Sequence, residues 1–399
     1  MEPNGRDAMS GSPMPVMTEI SHPLATIWLA REAREDATYF YGGTRLVDPA
    51  TSDAAATGML ARLMQGESSA KNRLINWAIE AGALDAFGAE LPPGFLESRV
   101  AGARCLIRPR SAGIAAALAD PSHRDNALMT AAVLEPIGGT LNSREPRIKL
   151  TPDFGRYAGV ADILHRYTPN VLGIRCEAGG CGGKSSYSVT GVLAGAERAA
   201  TAEVGEGPVT CIGSAGAMGT GVLAHFLARG VSDLGACDLA YDAPQRTSVP
   251  AGSRHLRSRP RQFTAESLER GGMIVATTIG DELEHSPWEA IPPGTLLLLA
   301  HNLALPPSEK GIALAEALAR HGVLVIPGQA LTLGGALTAR LEWYWRQLPS
   351  RPAFDKGLAH RVVHRLVSHL VARILAIAEA KRITPYQSML RLAGDEALS

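Results

Sequence analysis

The chain has 399 residues, of which 46% are hydrophobic, 20% charged and 5% aromatic. That composition can bury a core, and it excludes disordered and collagen-like architectures. Basic and acidic residues balance at 39 each, for a net charge of zero, which points away from nucleic acid or a membrane surface as partner.

At about 100–200 residues per domain, the length predicts two domains. Residues 1–22 are rich in Gly, Pro, Met and Ser and are expected to be a mobile tail. They lack the basic start and apolar block of a secretory signal. No apolar run approaches the roughly 18–20 residues of a membrane helix. The five cysteines are an odd number in a large chain, so a disulfide framework is not expected and a cytoplasmic compartment is. Cys176 and Cys181 flank a glycine-rich loop without a second Cys/His pair, so no metal site is expected there.

Residues 51–83 carry Met59, Leu60, Leu63 and Met64 at helical spacing and predict a helix. Residues 147–153 read as a strand ended by Pro152, followed by a helix over 160–167. A glycine-rich loop over 177–186 leads to a helix over 189–202. From Val209 strands and helices alternate. Strands are expected at 209–212, 234–239, 273–277, 295–299 and 323–326, with a helix at 220–229. That pattern predicts a doubly wound parallel sheet. The Arg/Ser/Pro-rich stretch 247–261 reads as a solvated loop. After Arg340 the pattern is helical, and residues 360–380 are apolar along one face and basic along the other.

One motif carries chemistry by itself. The run Gly213-Ser214-Ala215-Gly216-Ala217-Met218-Gly219 follows an apolar strand and opens a helix. Glycines so placed permit a sharp turn, close backbone approach to a pyrophosphate and tight packing of helix on strand. The helix N-terminus adds free N–H groups and partial positive charge. Asp238 ends the next strand, where a carboxylate bonds both ribose hydroxyls and repels a 2′-phosphate, favouring NAD over NADP.

Further segments come in a telling order: Tyr41-Gly42-Gly43-Thr-Arg45, a helix reaching Lys71-Asn72, then Asp153-Phe-Gly155, Ser188-Val-Thr-Gly-Val192 and Ala300-His-Asn302. The stretch G-V-L-V-I-P-G-Q-A-L-T-L-G-G over 322–335 and the C-terminal helix follow. From about Thr38 onward this order resembles the leucine, phenylalanine and valine dehydrogenases of the amino-acid dehydrogenase superfamily. The resemblance implies an α/β protein of two domains: an N-terminal α/β substrate domain and a Rossmann-type NAD-binding domain, with C-terminal helices. The expected division is 23–188 plus 345–399 for the substrate and oligomerisation domain, and 189–344 for the nucleotide domain. It also implies a homo-oligomer that interconverts an L-amino acid and a 2-oxo acid with NAD.

By the same resemblance Lys71 falls at the lysine that binds the substrate carboxylate, and Asp153 at the catalytic aspartate. Gly42 and Gly43 fall at the substrate wall, next to Tyr41. Asn302 falls near the nicotinamide carboxamide. One departure stands out. The family places a catalytic lysine about a dozen residues after the first, in a G-G-x-K stretch, and residues 76–85 contain no lysine. Only six lysines exist in the chain, and Lys184, in the glycine loop, is the candidate replacement; Lys149, on the strand before Asp153, is another. His301 reads as a structural histidine. Three readings remain: a working amino-acid dehydrogenase with a rearranged base, a relative that performs imine/amine redox without hydrolysis, and a non-catalytic NAD-binding homologue.

Overall fold

The computed structural model describes residues 15–152, 154, 159–200, 206–243, 247–278, 280–350 and 352–394. Two sheets organise the chain. The first is built from β1 (Val16–Ser21), β2 (Ala25–Arg31), β3 (Tyr39–Leu46), β4 (Val100–Pro109) and β5 (Ile148–Pro152), in the order β1-β2-β4-β3-β5. β2 runs antiparallel to β1 and β4, whereas β3 runs parallel to β4 and β5. Residues 16–21 therefore pair in an edge strand rather than belonging to a tail over 1–22. β1 has the period-2 pattern of a half-exposed strand, with its residues alternating between more and less exposed. β4 is buried along nearly its whole length because it lies at the sheet's centre.

Between β3 and β4 runs the expected helix, in three pieces: α1 (Asp53–Leu63), a π-helical turn (Met64–Ser69) and α2 (Ala70–Glu80). The Ser52 hydroxyl caps α1 by accepting from Ala55 N at 3.2 Å. Helices α3 (Ala112–Ala119), α4 (Asn126–Ser143) and α5 (Val160–His165) cover the opposite face of this sheet, burying Val133, Ile137 and Leu164 against Ile148 and Leu150.

α6 (Ser185–Ala199) starts four residues earlier than its pattern suggested and leads into the second sheet. That sheet comprises β6 (Val209–Ile212), β7 (Leu234–Cys237), β8 (Arg254–Leu256), β9 (Met273–Ala276), β10 (Leu296–Leu299) and β11 (Leu324–Ile326). The order is β11-β10-β9-β6-β7-β8, and every pairing is parallel. β8 falls within the stretch expected to be a loop. Three residues pairing with β7 satisfy backbone groups that its polar composition did not advertise. The crossover helices are α7 (Ala217–Ala228), α8 (Leu239–Asp242), α9 (Ala265–Leu268) and α10 (Glu309–Arg320). This is the Rossmann-type doubly wound arrangement, and its strand order reverses between β6 and β9. A crevice forms at such a switch point, beyond the carboxyl ends of the strands.

The chain ends in α11 (Gly328–Leu331), α12 (Gly334–Trp345), α13 (Lys356–Lys381) and α14 (Pro385–Leu392). α13 buries Leu358, Val362, Leu366, Leu370 and Ile374, a stripe at helical spacing, and packs along α6. All five cysteines are free thiols, and four are buried. Among the described residues, no helix is long and apolar enough to cross a membrane.

Candidate active site

The glycine turn sits at the switch point. Gly213 has φ of +78°, a conformation in which a side chain would be strained. At Gly219 an added Cβ would lie 2.0 Å from Gly213 O, so α7 can seat against the turn only because that residue lacks a side chain. Thr277, just past β9, donates its hydroxyl to Ile212 O and Gly213 O, both at 3.0 Å, tying the turn to the neighbouring strand. Gly216 is the N-cap of α7 and brings no side-chain bond, which leaves the first N–H groups of the helix open. Ser214 donates to Cys237 O, and Ala215 N donates to Asp238 Oδ2 at 2.9 Å. The other oxygen of Asp238 accepts from Ala240 N at 2.9 Å. Asp238 thus stands at the end of β7, against the turn that Ala217 and Met218 lead out of.

A second cluster joins the two sheets. Lys71, in the first turn of α2, donates from Nζ to Asn302 Oδ1 at 2.5 Å. Asn302 follows β10. Its Oδ1 also accepts from the Thr332 hydroxyl at 3.1 Å, and its Nδ2 donates to Glu67 Oε1 at 2.7 Å. Arg104, on β4, completes the group with an ion pair to the same Glu67 oxygen at 3.1 Å. Burial works to raise the pKa of Glu67. The opposing charges of Arg104, then Lys71 and Arg45, prevail and hold the carboxyl below its usual range. One carboxylate therefore faces three cations, an excess that suits an anionic ligand group.

Glu67 and Asn302 also line a cavity of about 230 Å³, with Arg45, Arg62 and Asp281 on its polar side and Leu63 and Leu303 on its apolar side. A larger groove of about 700 Å³ lies on the surface between β11, α10 and the turn into α14. It contains none of the residues above, so the smaller cavity is the one that meets the chemistry.

Gly42 and Gly43 lie on β3 beside this cluster. A Cβ on Gly43 would come within 3.2 Å of Arg104 Nη1, and one on Gly42 would collide with Ala103 O. Gly43 makes room for the guanidinium. Tyr41 is buried with Val100, Leu172 and Ala339, and its hydroxyl shares a hydrogen bond with Thr151 at 2.9 Å.

Lys184 immediately precedes α6. A Cβ placed on Gly173 would lie 3.7 Å from Lys184 Cε and 3.3 Å from Thr151 Cγ2, which puts the lysine stem close to the end of β5. Asp153, one position past that strand, lies outside the described residues.

Lys149 donates to Asn170 Oδ1 at 2.6 Å and Pro146 O at 2.8 Å, over the ring of Trp343. Burial, with Arg346 nearby, pushes its pKa down to about 8. His301 is buried, with its two ring nitrogens 3.1 Å from Ala276 O and Gly280 O. These contacts make it a brace between β9 and the loop that follows.

Two members of the cluster, Arg104 and Glu67, escape a reading of the sequence that scans only the dozen residues after Lys71. Arg104 did leave a signal: a charged residue within an otherwise apolar run, Val100-Ala-Gly-Ala-Arg104-Cys-Leu-Ile107.

No family model matches the chain, and no curated protein sequence does either. Solved structures match over nearly its full length. The L-tryptophan dehydrogenase of Nostoc punctiforme overlays with a TM-score of 0.62 at 15% identity, covering 98% of this chain and 96% of that one. The chain has the fold of the amino-acid dehydrogenases. The hetero-hexameric glutamate dehydrogenase of Thermus thermophilus, in a leucine-bound form, gives a TM-score of 0.64 at 17% identity, covering 98% and 90% of the two chains. Glutamate dehydrogenase 2 of Plasmodium falciparum gives 0.65 at 11% identity, covering 97% and 85%.

Proposed function

We propose that the chain is an oxidoreductase acting on the C–N centre of an L-amino acid or derived imine, with NAD(H) as cofactor. The observation that carries the reading is the bond between Lys71 and Asn302. It brings a cation from α2, the helix packed on the first sheet, against a polar residue at the carboxyl end of the second, nucleotide-type sheet. The glycine turn supports it. Gly213 and Gly219 leave backbone room for a pyrophosphate, the α7 N–H groups are open to receive it, and Asp238 stands where a ribose would lie. A bound nicotinamide would supply the hydride acceptor and donor.

The chain's own residues then bind and orient. Lys71 holds the substrate carboxylate as a point charge, and the cation excess around Glu67 raises the local concentration of such anions. Gly42 and Gly43, beside Tyr41, shape the wall. Asp153 is assigned the proton relay, and Lys184, whose stem lies close to the end of β5, is the candidate replacement amine. A guanidinium remains charged throughout the range of folded proteins, so Arg104 cannot serve as a base that activates water. Activation of water for hydrolytic deamination therefore falls to Lys184 or Asp153, and without it the redox step keeps the C–N bond.

The test is incubation with NAD and a panel of amino acids, following nicotinamide absorbance and ammonia together. NADH without ammonia supports the form that keeps the C–N bond, and NADH with ammonia supports ordinary deamination. NAD binding without any NADH refutes the enzymatic reading and leaves a binding protein. A cytoplasmic homo-oligomer is part of the proposal, and light scattering of the purified chain tests the assembly.

A further inference from the structure

Glu67 occupies the middle of the cluster, yet nothing in its sequence neighbourhood distinguishes it. It lies on the π-helical turn Met64–Ser69, between α1 and α2. Such turns are rare, and many mark functional sites, because the wider winding aims side chains out of the regular helical register. Here Glu67 is carried inward until it is only 8% exposed. One carboxylate oxygen, Oε1, receives both Arg104 and Asn302. The other, Oε2, is buried and has no hydrogen-bond partner among the described residues. Buried acceptors are normally satisfied, and an exception calls for a missing donor. The residue lines the cavity next to Asn302.

We infer that Glu67 Oε2 is the acceptor for the N–H of the substrate's amine or iminium nitrogen, and that Glu67 is the residue by which the site selects nitrogen-bearing acids. The inference rests on the proposed C–N oxidoreductase reading. Arg104 fixes the carboxylate in place from β4, while Lys71 exchanges its bond to Asn302 for one to the substrate carboxylate. As the C–N bond gains double-bond character, positive charge grows on nitrogen. A fixed carboxylate opposite that charge stabilises it without moving any proton.

The test compares leucine, phenylalanine and tryptophan with the same acids lacking the amino group: 4-methylpentanoate, 3-phenylpropanoate and indole-3-propanoate. Binding to the NADH-loaded protein is read by calorimetry, alongside NADH formation from NAD. In Glu67→Gln, affinity for the preferred amino acid should fall by about 10- to 100-fold, the worth of a charge-assisted hydrogen bond. Affinity for its nitrogen-free analogue should not fall, since that analogue makes no bond to Glu67 and the surrounding cations are then less neutralised. Glu67→Gln leaves Arg104 without its anionic partner, so the double variant E67Q/R104Q, which removes both charges, is measured in parallel. It should show the same loss of discrimination. If the wild-type protein forms NADH but either folded variant keeps the wild-type preference for nitrogen, the role of Glu67 is overturned and the function stands. If the wild-type protein forms no NADH and binds both classes equally, the function and the role fall together.

Discussion

Replacing Gly219 by alanine tests the nucleotide half most directly. The new Cβ would lie 2.0 Å from Gly213 O and 2.7 Å from Ser214 Cα, both backbone atoms that cannot rotate away. An ordinary C···O contact is about 3.3 Å, so the start of α7 must retreat by about 1.3 Å. The retreat is resisted because Val222, Leu223 and Phe226 anchor the same helix in the core. Overpacking of this kind costs about 1–3 kcal/mol of stability. A displacement of that size also stretches a normal hydrogen bond from an α7 N–H to a phosphate oxygen beyond useful range. Each such charge-assisted bond is worth about 1.5–3 kcal/mol, so NADH should bind Gly219→Ala roughly 10- to 100-fold more weakly. The assay is titration by nicotinamide fluorescence on protein first shown to be folded by thermal melting. A folded Gly219→Ala variant that binds NADH within threefold of wild type would refute the assignment of this turn to a dinucleotide.

Three other outcomes follow from named contacts. Asp238→Ala should narrow the preference for NAD over NADP in paired titrations. It should also cost about 0.5–2 kcal/mol of stability, because the same carboxylate caps α8 through Ala240 N. Equal wild-type affinity for the two cofactors would sink the assignment. Lys71→Ala should raise the Michaelis constant about 10- to 100-fold while leaving NAD binding alone, and an unchanged constant means that Lys71 does not hold the substrate. Lys149 has its folded pKa pushed down to about 8, below the 10.5 of the free amine. Between those two values the unfolded chain binds the proton more tightly, so this group's contribution to stability rises with pH across the window. Below pH 8 the fold carries the buried charge at a cost in stability. Denaturation of wild type and Lys149→Met at pH 7.5 and 10 should therefore show a smaller rise for the variant, and parallel profiles would contradict the burial argument.

Much of the second sheet was legible in the residues. Most of its strands are short apolar runs, such as Leu296–Leu299 just after Pro293-Gly294, and strands buried on both faces have that simple signature. The glycine turn was equally plain, since a positive φ at Gly213 and the contact at Gly219 restrict both positions to one residue type. The first sheet was harder. β1 alternates and is partly exposed, so it does not stand out from the loops around it, and in the second sheet β8, polar and three residues long, hides in the same way.

The cluster divides along the same line. The sequence by itself determined which residue types were present: one lysine at the start of α2, one asparagine after β10, and no lysine in the ten residues where the resemblance asks for one. Tertiary structure alone decided that Arg104 would supply a cation of the cluster. It lies 33 residues beyond Lys71 and reaches the cluster only because β4 runs beside β3, pairing Gly102 with Tyr41 and Cys105 with Thr44 on either side of the two glycines. It alone decided the role of Glu67 as well. A π-helical turn only shifts the phase of a 3.6-residue pattern, and a shift within a single turn does not say which polar side chain it carries inward. Local sequence patterns record burial and backbone preference, whereas a charge cluster depends on which distant strands and turns the fold sets side by side.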